Sequence, residues 1–568
     1  MAREQLWHAA RLVGLAVAVA GVSLAQNASD DVTQLKEQVA RMQKQIELLT
    51  EKLEQVVAAK NADAAPAAAA APAAPVAPET RLYPPTSLTA STTPLAAPMP
   101  SAAAPRPTSP VPNPPLPRTA APPQPVTGTS SPLQILLGDI AITPVGFMDL
   151  TATWKNTNAT GSLGTNFGNF PYNNTLPQAK LSEWRFSPQN SRIGFRIDGS
   201  YKGLRFIGYN EFDFLGTSGS NSITVTNGAF VPRLRLYWVD LRKDKFEFLA
   251  GQSWSMMTPN RKGISPLPGD IFYSQVMDVN YLIGLPWTRQ PGLRFVYHPT
   301  DKVALGFAAE NPEQYIGGSG GGPTVTLPTC CTTFAGVQLD NGTTVQTIPN
   351  LTPDFIAKAA FDPSPRVHFE VAGMERNFKV YNTAGPNINR YSTVVGAAGS
   401  VNGNFEVVKN FRLISNNYWS DGGGRYLFGE VPDLIVRGDG TLSPIHAGGF
   451  NEGFEATAGK FLIFGYYGAA YARRNVSIDT NGSLVGYGYR GASNSQNKTI
   501  QEVTGGFNQT IWKDAKYGAL NIITQYAWFV RNPWYIAPNT PKAAHLTTVW
   551  FDVRYTLPGS APTMVPTK

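Results

Sequence analysis

Arginine side chains recur at alternate positions in several short segments, close in sequence to carboxylates. Arg233, for example, stands two positions before Arg235. Guanidinium groups along one wall of a channel favour anions, through their long-range field and through bidentate hydrogen bonds to carboxylate or phosphate. A second interpretation is that they pair with carboxylates and brace the wall. The candidate pore-lining residues are Arg192, Arg196, Arg205, Glu211, Asp213, Arg233, Arg235 and Arg294.

Residues suited to nucleophilic or metal chemistry are few and scattered. The two cysteines, Cys330 and Cys331, are adjacent, which in an exported chain favours a vicinal disulfide over a metal site. No Lys-Ser/Thr pair follows the glycine runs to make a phosphate-binding signature. The sequence therefore predicts no enzyme, no metal, no cofactor and no nucleic-acid partner. The histidines beyond the first 25 residues have no zinc spacing: His298, His368, His446 and His545.

The elements that must position these charges are strands, because the side chains alternate with a period of two. In the segment that begins at Arg192, apolar Ile193 and Phe195 alternate with charged residues. Near the C-terminus, Phe551 and Val553 alternate with Asp552 and Arg554 in the same way. The same rule predicts that Tyr209 and Tyr237 share the charged face. One apolar face and one charged face suit a strand between lipid and a wet lumen.

Long and short connections alternate along the chain between these segments. The long ones run to roughly ten to forty residues, far above the usual loop length of a compact soluble domain. Alternating long loops and tight turns are typical of a closed membrane barrel. Eight long and seven short connections predict about sixteen antiparallel strands, hence an all-β transmembrane barrel. The predicted turns are 199–203, 242–245, 299–302, 362–365, Asn402-Gly403, 459–460 and 513–516.

The N-terminal quarter of the chain has a different character. Residues 1–25 combine Arg3 and Arg11 with a short apolar run, which predicts a signal peptide. Residues 26–60 carry a heptad pattern that predicts a coiled-coil helix, and residues 61–132 form a Pro/Ala-rich linker predicted to be disordered. The predicted barrel domain covers 133–557 and a tail 558–568. The coiled-coil seam is Val32, Leu35, Val39, Met42, Ile46, Leu49, Leu53 and Val56.

Charge and composition agree with a polar-lined barrel. The formal net charge is +8, and aromatic residues make up 11% of the chain. The coil is slightly acidic and the linker slightly basic, so that most of the excess charge belongs to the barrel. Mean hydropathy is only −0.17, as a polar lumen requires.

Signal, coil, linker and barrel together resemble the DcaP-like trimeric porins of Gram-negative outer membranes. The phrases that carry the resemblance are residues 190–195 (NSRIGF), 249–255 (LAGQSWS) and 289–295 (RQPGLRF). The resemblance implies a homotrimer in the outer membrane, with the coil in the periplasm and lipopolysaccharide around the barrel. It also implies passive uptake of small anionic solutes such as dicarboxylates. One departure is that Tyr555 does not end the chain, whereas many such barrels end on an aromatic residue.

The resemblance assigns a role to the third long loop, between Ser255 and Gln290. In trimeric sixteen-stranded porins this loop folds into the barrel and narrows the pore. The corresponding constriction-loop candidates are Arg261, Lys262, Asp270, Asp278 and Arg289.

Three alternatives to an anion-preferring porin stay open. A sugar-selective porin would use lumen aromatics such as Tyr209 and Tyr237 to stack on sugar rings. A structural protein would use coil and linker to tether the outer membrane to peptidoglycan. An outer-membrane hydrolase would need a reactive group that the sequence does not reveal.

Overall fold

The computed structural model describes residues 131–560 apart from 160–162, 176, 217–229, 319–323, 343–347 and 429. The predicted signal peptide, coiled-coil seam, most of the linker and most of the tail lie outside the described residues. No helix in the described ranges is long and apolar enough to cross a membrane.

The described chain is built almost entirely from strands, with three short 3-10 helices in its loops. The helices are Gln178–Lys180, Thr329–Phe334 and Gly424–Tyr426. The strands are β1 (Ile135–Leu137), β2 (Ile140–Lys155), β3 (Glu183–Ser187), β4 (Arg192–Tyr201), β5 (Leu204–Gly216), β6 (Val231–Lys243), β7 (Phe246–Trp254), β8 (Arg289–Thr300), β9 (Val303–Glu310), β10 (Asp354–Ser364), β11 (Val367–Tyr381), β12 (Tyr391–Val408), β13 (Phe411–Asp421), β14 (Leu434–Val436), β15 (Leu442–Pro444), β16 (His446–Ala458), β17 (Phe461–Ala472), β18 (Asn475–Ile478), β19 (Leu484–Tyr487), β20 (Asn497–Asp514), β21 (Gly518–Pro533) and β22 (Ala544–Thr556).

Antiparallel pairing closes the sheet on itself. Strand β2 pairs with β22 along Phe147–Lys155 and with β4 along Ala141–Phe147, which joins the last strand to the first. Sixteen strands form the ring: β2, β4 to β13, β16, β17 and β20 to β22. The predicted closed barrel and its strand number are therefore confirmed.

Side chains along the ring alternate between the two faces as predicted. Ile193 and Phe195 are exposed on the outside, whereas Arg192 is buried inside. The outward surface carries a wide apolar band that includes Leu293, Phe295 and Phe307. Such a band outside a closed barrel is the surface that a lipid bilayer requires.

Six of the seven predicted turns lie at or beside the observed ones. The predicted turn at Asn402-Gly403 is wrong, because β12 continues to Val408 and the turn falls at Lys409 and Asn410. The Asn402 side chain points inward and donates to a carboxylate of β11, Glu370, at 2.9 Å. Asn410 has a positive φ of 68°, a conformation that asparagine tolerates better than most residues.

A bulge in β6 overturns one further prediction about faces. Arg235 and Leu236 are both buried, because the pairing with β5 shifts register between Leu234 and Leu236. The residues after the bulge consequently change sides. Tyr237 is 61% exposed on the outside instead of lining the lumen, and Trp238 takes the inward position.

Candidate functional site

The inward faces of β4, β5 and β6 bring together five of the eight predicted lumen residues. Arg235 donates to Glu211 at 2.6 Å and to Asp213 at 2.7 Å. Arg233 binds Asp213 in a bidentate manner, at 2.7 and 3.0 Å. Arg192 lies 3.6 Å from Glu211. These arginines thus form ion pairs with carboxylates of the same wall.

A sixth charge joins this arginine cluster from the end of the third long loop. The Arg289 guanidinium lies 5.4 Å from the ring centre of Trp254, and that of Arg235 lies 5.7 Å from the same ring. Tyr281 of the loop accepts hydrogen bonds from Arg192 and Arg235, at 3.2 and 3.4 Å. Loop and wall are therefore joined through the cluster.

The arginine cluster carries more positive than negative charge. Arg192, Arg233, Arg235 and Arg289 face two carboxylates, Glu211 and Asp213, which leaves a formal excess of two positive charges. The Arg233 side chain is 39% exposed, while that of Arg235 is only 3% exposed. Positive charge is thus accessible to a solute mainly through Arg233, with Arg289 half-buried beside it.

The three remaining lumen candidates lie elsewhere on the inner wall. Arg196 and Arg205 share Asp198 at the turn end of the barrel, at 2.7 and 3.5 Å. Arg294 is buried and donates to the Trp254 carbonyl at 2.6 Å and to Ser253 at 3.3 Å. None of the three belongs to the arginine cluster.

The third long loop lies inside the ring of strands and reaches the opposite wall. Its backbone N–H groups donate to side chains of β11, β20 and β21: Asn260 to Glu370 at 3.3 Å, Ile283 to Glu502 at 3.2 Å and Met277 to Gln525. Buried backbone donors require such partners, since water is excluded there. The loop therefore crosses the lumen.

One loop candidate makes the strongest of these attachments. The Arg261 guanidinium binds the Glu455 carboxylate of β16 through two hydrogen bonds, at 2.6 and 2.9 Å. Glu455 also accepts from Tyr466 at 2.7 Å and from Gln275 at 3.3 Å. Arg261 therefore attaches the loop to the wall through Glu455. The sequence analysis did not identify Glu455.

The other loop candidates divide by exposure. Lys262 is exposed and Asp270 is half-buried, so both reach solvent. Asp278 is buried and accepts from the backbone N–H groups of Asn280 at 2.9 Å and Thr165 at 3.1 Å. Burial raises the pKa of the Asp278 carboxyl above its ordinary value. Asp278 thus joins the first and third long loops instead of facing the solvent.

A small cavity lies between the third loop and the wall near the arginine cluster. Its volume is about 20 Å³, and it lies between Tyr273 and Tyr281 of the loop and Asn190, Arg192 and Arg554 of the wall. A space of this size holds about one water molecule. The loop and the wall are therefore separated by no more than about one water molecule at this point.

A second buried network holds the base of the loop, and the sequence analysis missed it. Lys358 of β10 lies 2.8 Å from Glu370 and donates to Asn260 at 2.9 Å. His368 bridges Glu370 and Asp362, at 3.2 and 2.8 Å. The alternation of His368 and Glu370 along β11 was the available signal, but their partners come from other elements.

The fourth long loop contains a disulfide between the neighbouring residues Cys330 and Cys331. Its neighbours are other loops: Thr329 donates to Asp479 at 2.8 Å, and Cys330 packs beside Gly385. No group of three or more His, Cys, Asp or Glu side chains in the described part of the chain could hold a metal ion.

No family model and no curated protein matches the chain. Among solved structures, the outer membrane channel DcaP of Acinetobacter baumannii aligns with a TM-score of 0.51 and 15% identity, over 73% of this chain and 97% of that one. The anion-selective porin from Comamonas acidovorans aligns with a TM-score of 0.42 and 11% identity, over 73% and 99%. OmpF of Salmonella typhi aligns with a TM-score of 0.41 and 10% identity, over 74% of this chain and 100% of that one. Sixteen strands, a closed ring and the DcaP alignment show that the described chain has the fold of a DcaP-like porin.

Proposed function

We propose that this protein is an outer-membrane porin, a passive diffusion channel for small hydrophilic solutes. The observation that carries the proposal is the combination of an apolar outer band, a charged inner wall and a loop folded across the lumen. Such a wall provides a wet path through the membrane with a selective constriction.

We further propose that the channel prefers anions. The excess of two positive charges in the arginine cluster supports this preference. Arg233 and Arg289 are the residues that a solute would meet. Arg233 is paired with Asp213, but its side chain is 39% exposed, and Arg289 is half-buried, whereas Arg192 and Arg235 are buried. A small dicarboxylate suits these two residues, since one carboxylate group can meet Arg289 and the other the exposed part of the Arg233 guanidinium.

The sugar-porin alternative loses the residues on which it rested. Tyr237 faces outward, and the Tyr209 ring is stacked on Trp238 with their centres 5.5 Å apart. A sugar ring would have to displace Trp238 from that face. The tether alternative depends on residues 26–132, of which the structure describes only Ser131 and Pro132. It stays a hypothesis.

The finer features of assembly are also proposals. We expect a homotrimer with the coil projecting into the periplasm, near peptidoglycan, and with lipopolysaccharide around the outer half of the barrel. One contact supports the periplasmic direction: Ser131 donates to the Pro558 carbonyl at 2.7 Å, beside the end of β22 on the turn side. The turn side of an outer-membrane barrel faces the periplasm.

The test is the reversal potential of the purified protein in a planar bilayer under a salt gradient. We expect anion selectivity, block by succinate and current steps in groups of three. The double change Arg233→Gln and Arg289→Gln should move the reversal potential toward zero, whereas Lys516→Gln in an exposed turn should not. Absence of current would reject the channel; cation selectivity would reject the anion preference alone.

A further inference from the structure

The sixth long loop, which connects β13 to β14, folds against the third long loop. The Trp287 N–H donates to the Tyr426 carbonyl at 3.1 Å, and the Gly284 N–H donates to the Glu430 carboxylate at 3.2 Å. Tyr426 and Leu427 are fully buried. The sixth loop therefore covers the final part of the third loop.

Phe428 of the sixth loop has an unusual backbone conformation. Its φ is 52°, in the left-handed region where Cβ lies too close to the following carbonyl oxygen. Glycine holds this conformation without strain. A phenylalanine at this position costs stability that the contacts of its ring must offset.

The Phe428 ring lies between two other long loops. It stacks on the Trp287 ring of the third loop, with centres 4.7 Å apart and planes inclined by 14°. Its edge meets the Phe167 ring of the first loop at 6.2 Å. Phe167 and Trp287 are buried, whereas Phe428 is half-buried. The ring thus fills the space between the first and third loops and reaches solvent.

This ring lies on the long-loop side of the arginine cluster. The Trp287 ring centre is 5.6 Å from that of Trp254, and the Arg289 guanidinium lies 5.4 Å from the same Trp254 ring. Strand β8 begins at Arg289 and ends in a turn at Thr300, so Trp287 precedes the strand at its long-loop end. A solute that enters from that end therefore reaches Phe428 before Arg289.

Phe428 acts on a solute through its bulk. The ring carries no charge, and its aromatic neighbours Phe167 and Trp287 carry none either. An apolar constriction in a pore restricts passage by size and by the loss of water around the solute. A glycine at this position would keep the backbone of the sixth loop but would leave the space beside Trp287 open.

We propose that Phe428 is a size-selecting residue at the entrance of the channel. Its ring narrows the approach to Arg289, so that small anions pass and bulky anions are held back. The inference rests on the proposed channel function and deepens it. The arginine cluster selects for charge, and a neutral ring of the sixth loop selects for size.

The experiment uses the full-length protein in a planar bilayer and two anions with the same charged group, acetate and adamantanecarboxylate. Reversal potentials against chloride give the permeability of each anion. We expect Phe428→Gly to raise the permeability of adamantanecarboxylate relative to acetate roughly tenfold, the factor in rate that corresponds to one aromatic contact. The matched control is Asn389→Gly, since Asn389 has a positive φ of 61° and is exposed in the fifth long loop. The control should leave the ratio unchanged.

The change Phe428→Cys, followed by benzyl methanethiosulfonate, tests whether the ring itself acts. The thiolate attacks the sulfenyl sulfur of the reagent, methanesulfinate leaves, and a benzyl group stays attached through a disulfide. No native thiol competes, because Cys330 and Cys331 are bonded to each other. We expect Phe428→Cys to admit adamantanecarboxylate and the benzyl group to exclude it again. Asn389→Cys, treated in the same way, should show no change.

Denaturant unfolding separates this role from a merely structural one. Phe428→Gly loses the ring contacts but relieves the backbone strain, so we expect its stability to stay close to that of the unmodified protein. If the ring mainly held the loops together, the variant would instead be destabilised and would admit both anions more readily.

Three results would overturn the proposal. They are an unchanged permeability ratio in Phe428→Gly, an equal rise for both anions, and a benzyl group that does not restore exclusion. Absence of current from the unmodified protein would reject the channel itself. Current with an unchanged ratio would reject only the role of Phe428.

Discussion

Two networks of ion pairs lie on the inner wall, and they differ in burial far more than in chemistry. Where the third loop meets the wall, Glu455, Lys358 and Glu370 have side chains that are 0% exposed. At the turn end, Arg196 and Asp198 pair at 2.7 Å with side chains 28% and 27% exposed. Equal distances therefore do not imply equal contributions to stability.

Desolvation explains the difference. A charge taken out of water depends on its partner, and removing that partner is strongly destabilising. A pair that water reaches gains little, because solvent already stabilises each ion. The loop network thus holds the third loop against the wall, whereas the turn-end network contributes little to stability.

The largest effect is expected for Glu455→Ala. The change leaves the Arg261 guanidinium buried without its carboxylate and removes the acceptor of Tyr466 and Gln275. We expect the free energy of unfolding to fall by about 3–5 kcal/mol and the single-channel conductance to rise as the loop detaches. Denaturant unfolding in micelles and bilayer recording measure the two effects. An unchanged conductance would show that Arg261 does not hold the loop.

Lys358→Met should have the next largest effect. It leaves the buried Glu370 carboxylate with hydrogen bonds to His368 and Asn402 but without its lysine, and it removes the hydrogen bonds of Lys358 to Thr258 and Asn260. We expect a loss of about 3 kcal/mol, again from denaturant unfolding. The double change Lys358→Met and Glu370→Gln is the control. It removes the unpaired charge while the amide oxygen can still accept from Asn402 and Asn260, so it should restore much of the stability. A double variant no more stable than the single one would contradict the assignment.

Glu430→Gln should change the pH dependence of stability. Burial raises the pKa of the Glu430 carboxyl well above its ordinary value of 4.5, while the Gly284 N–H opposes this shift. The folded state therefore binds the proton more tightly, and stability falls as pH rises from about 4.5 through the folded pKa. The amide cannot ionise, so the variant should lose this decline. Unfolding measured across that range would show parallel curves if Glu430 were already ionised in the folded state.

Asp198→Ala should have the smallest effect. It removes the carboxylate shared by Arg196 and Arg205, but all three side chains reach water. We expect a change in unfolding free energy below about 1 kcal/mol and a small rise in anion selectivity. A loss as large as that of Glu455→Ala would erase the distinction between the two networks.

Much of the fold was predictable because it rests on local rules. Alternation of Ile193 and Phe195 with charged neighbours defined strands, and loop lengths defined their number. The two errors were local as well. Asn402-Gly403 has the composition of a turn, yet the inward carboxylate of Glu370 keeps Asn402 within a strand. The bulge at Arg235 has no sequence signal, and it turned Tyr237 outward.

The sequence by itself determined a closed sixteen-stranded barrel, its charged inner face and a long third loop that carries charges of both signs. Only the tertiary structure decided which charges meet. Arg261 and Glu455 are separated by almost two hundred residues, and the ring of strands brings them within 2.6 Å. A period of two reports the face of a side chain, but not its partner across the lumen. For that reason the arginines were predictable as inward-facing residues, while their carboxylate partners were not.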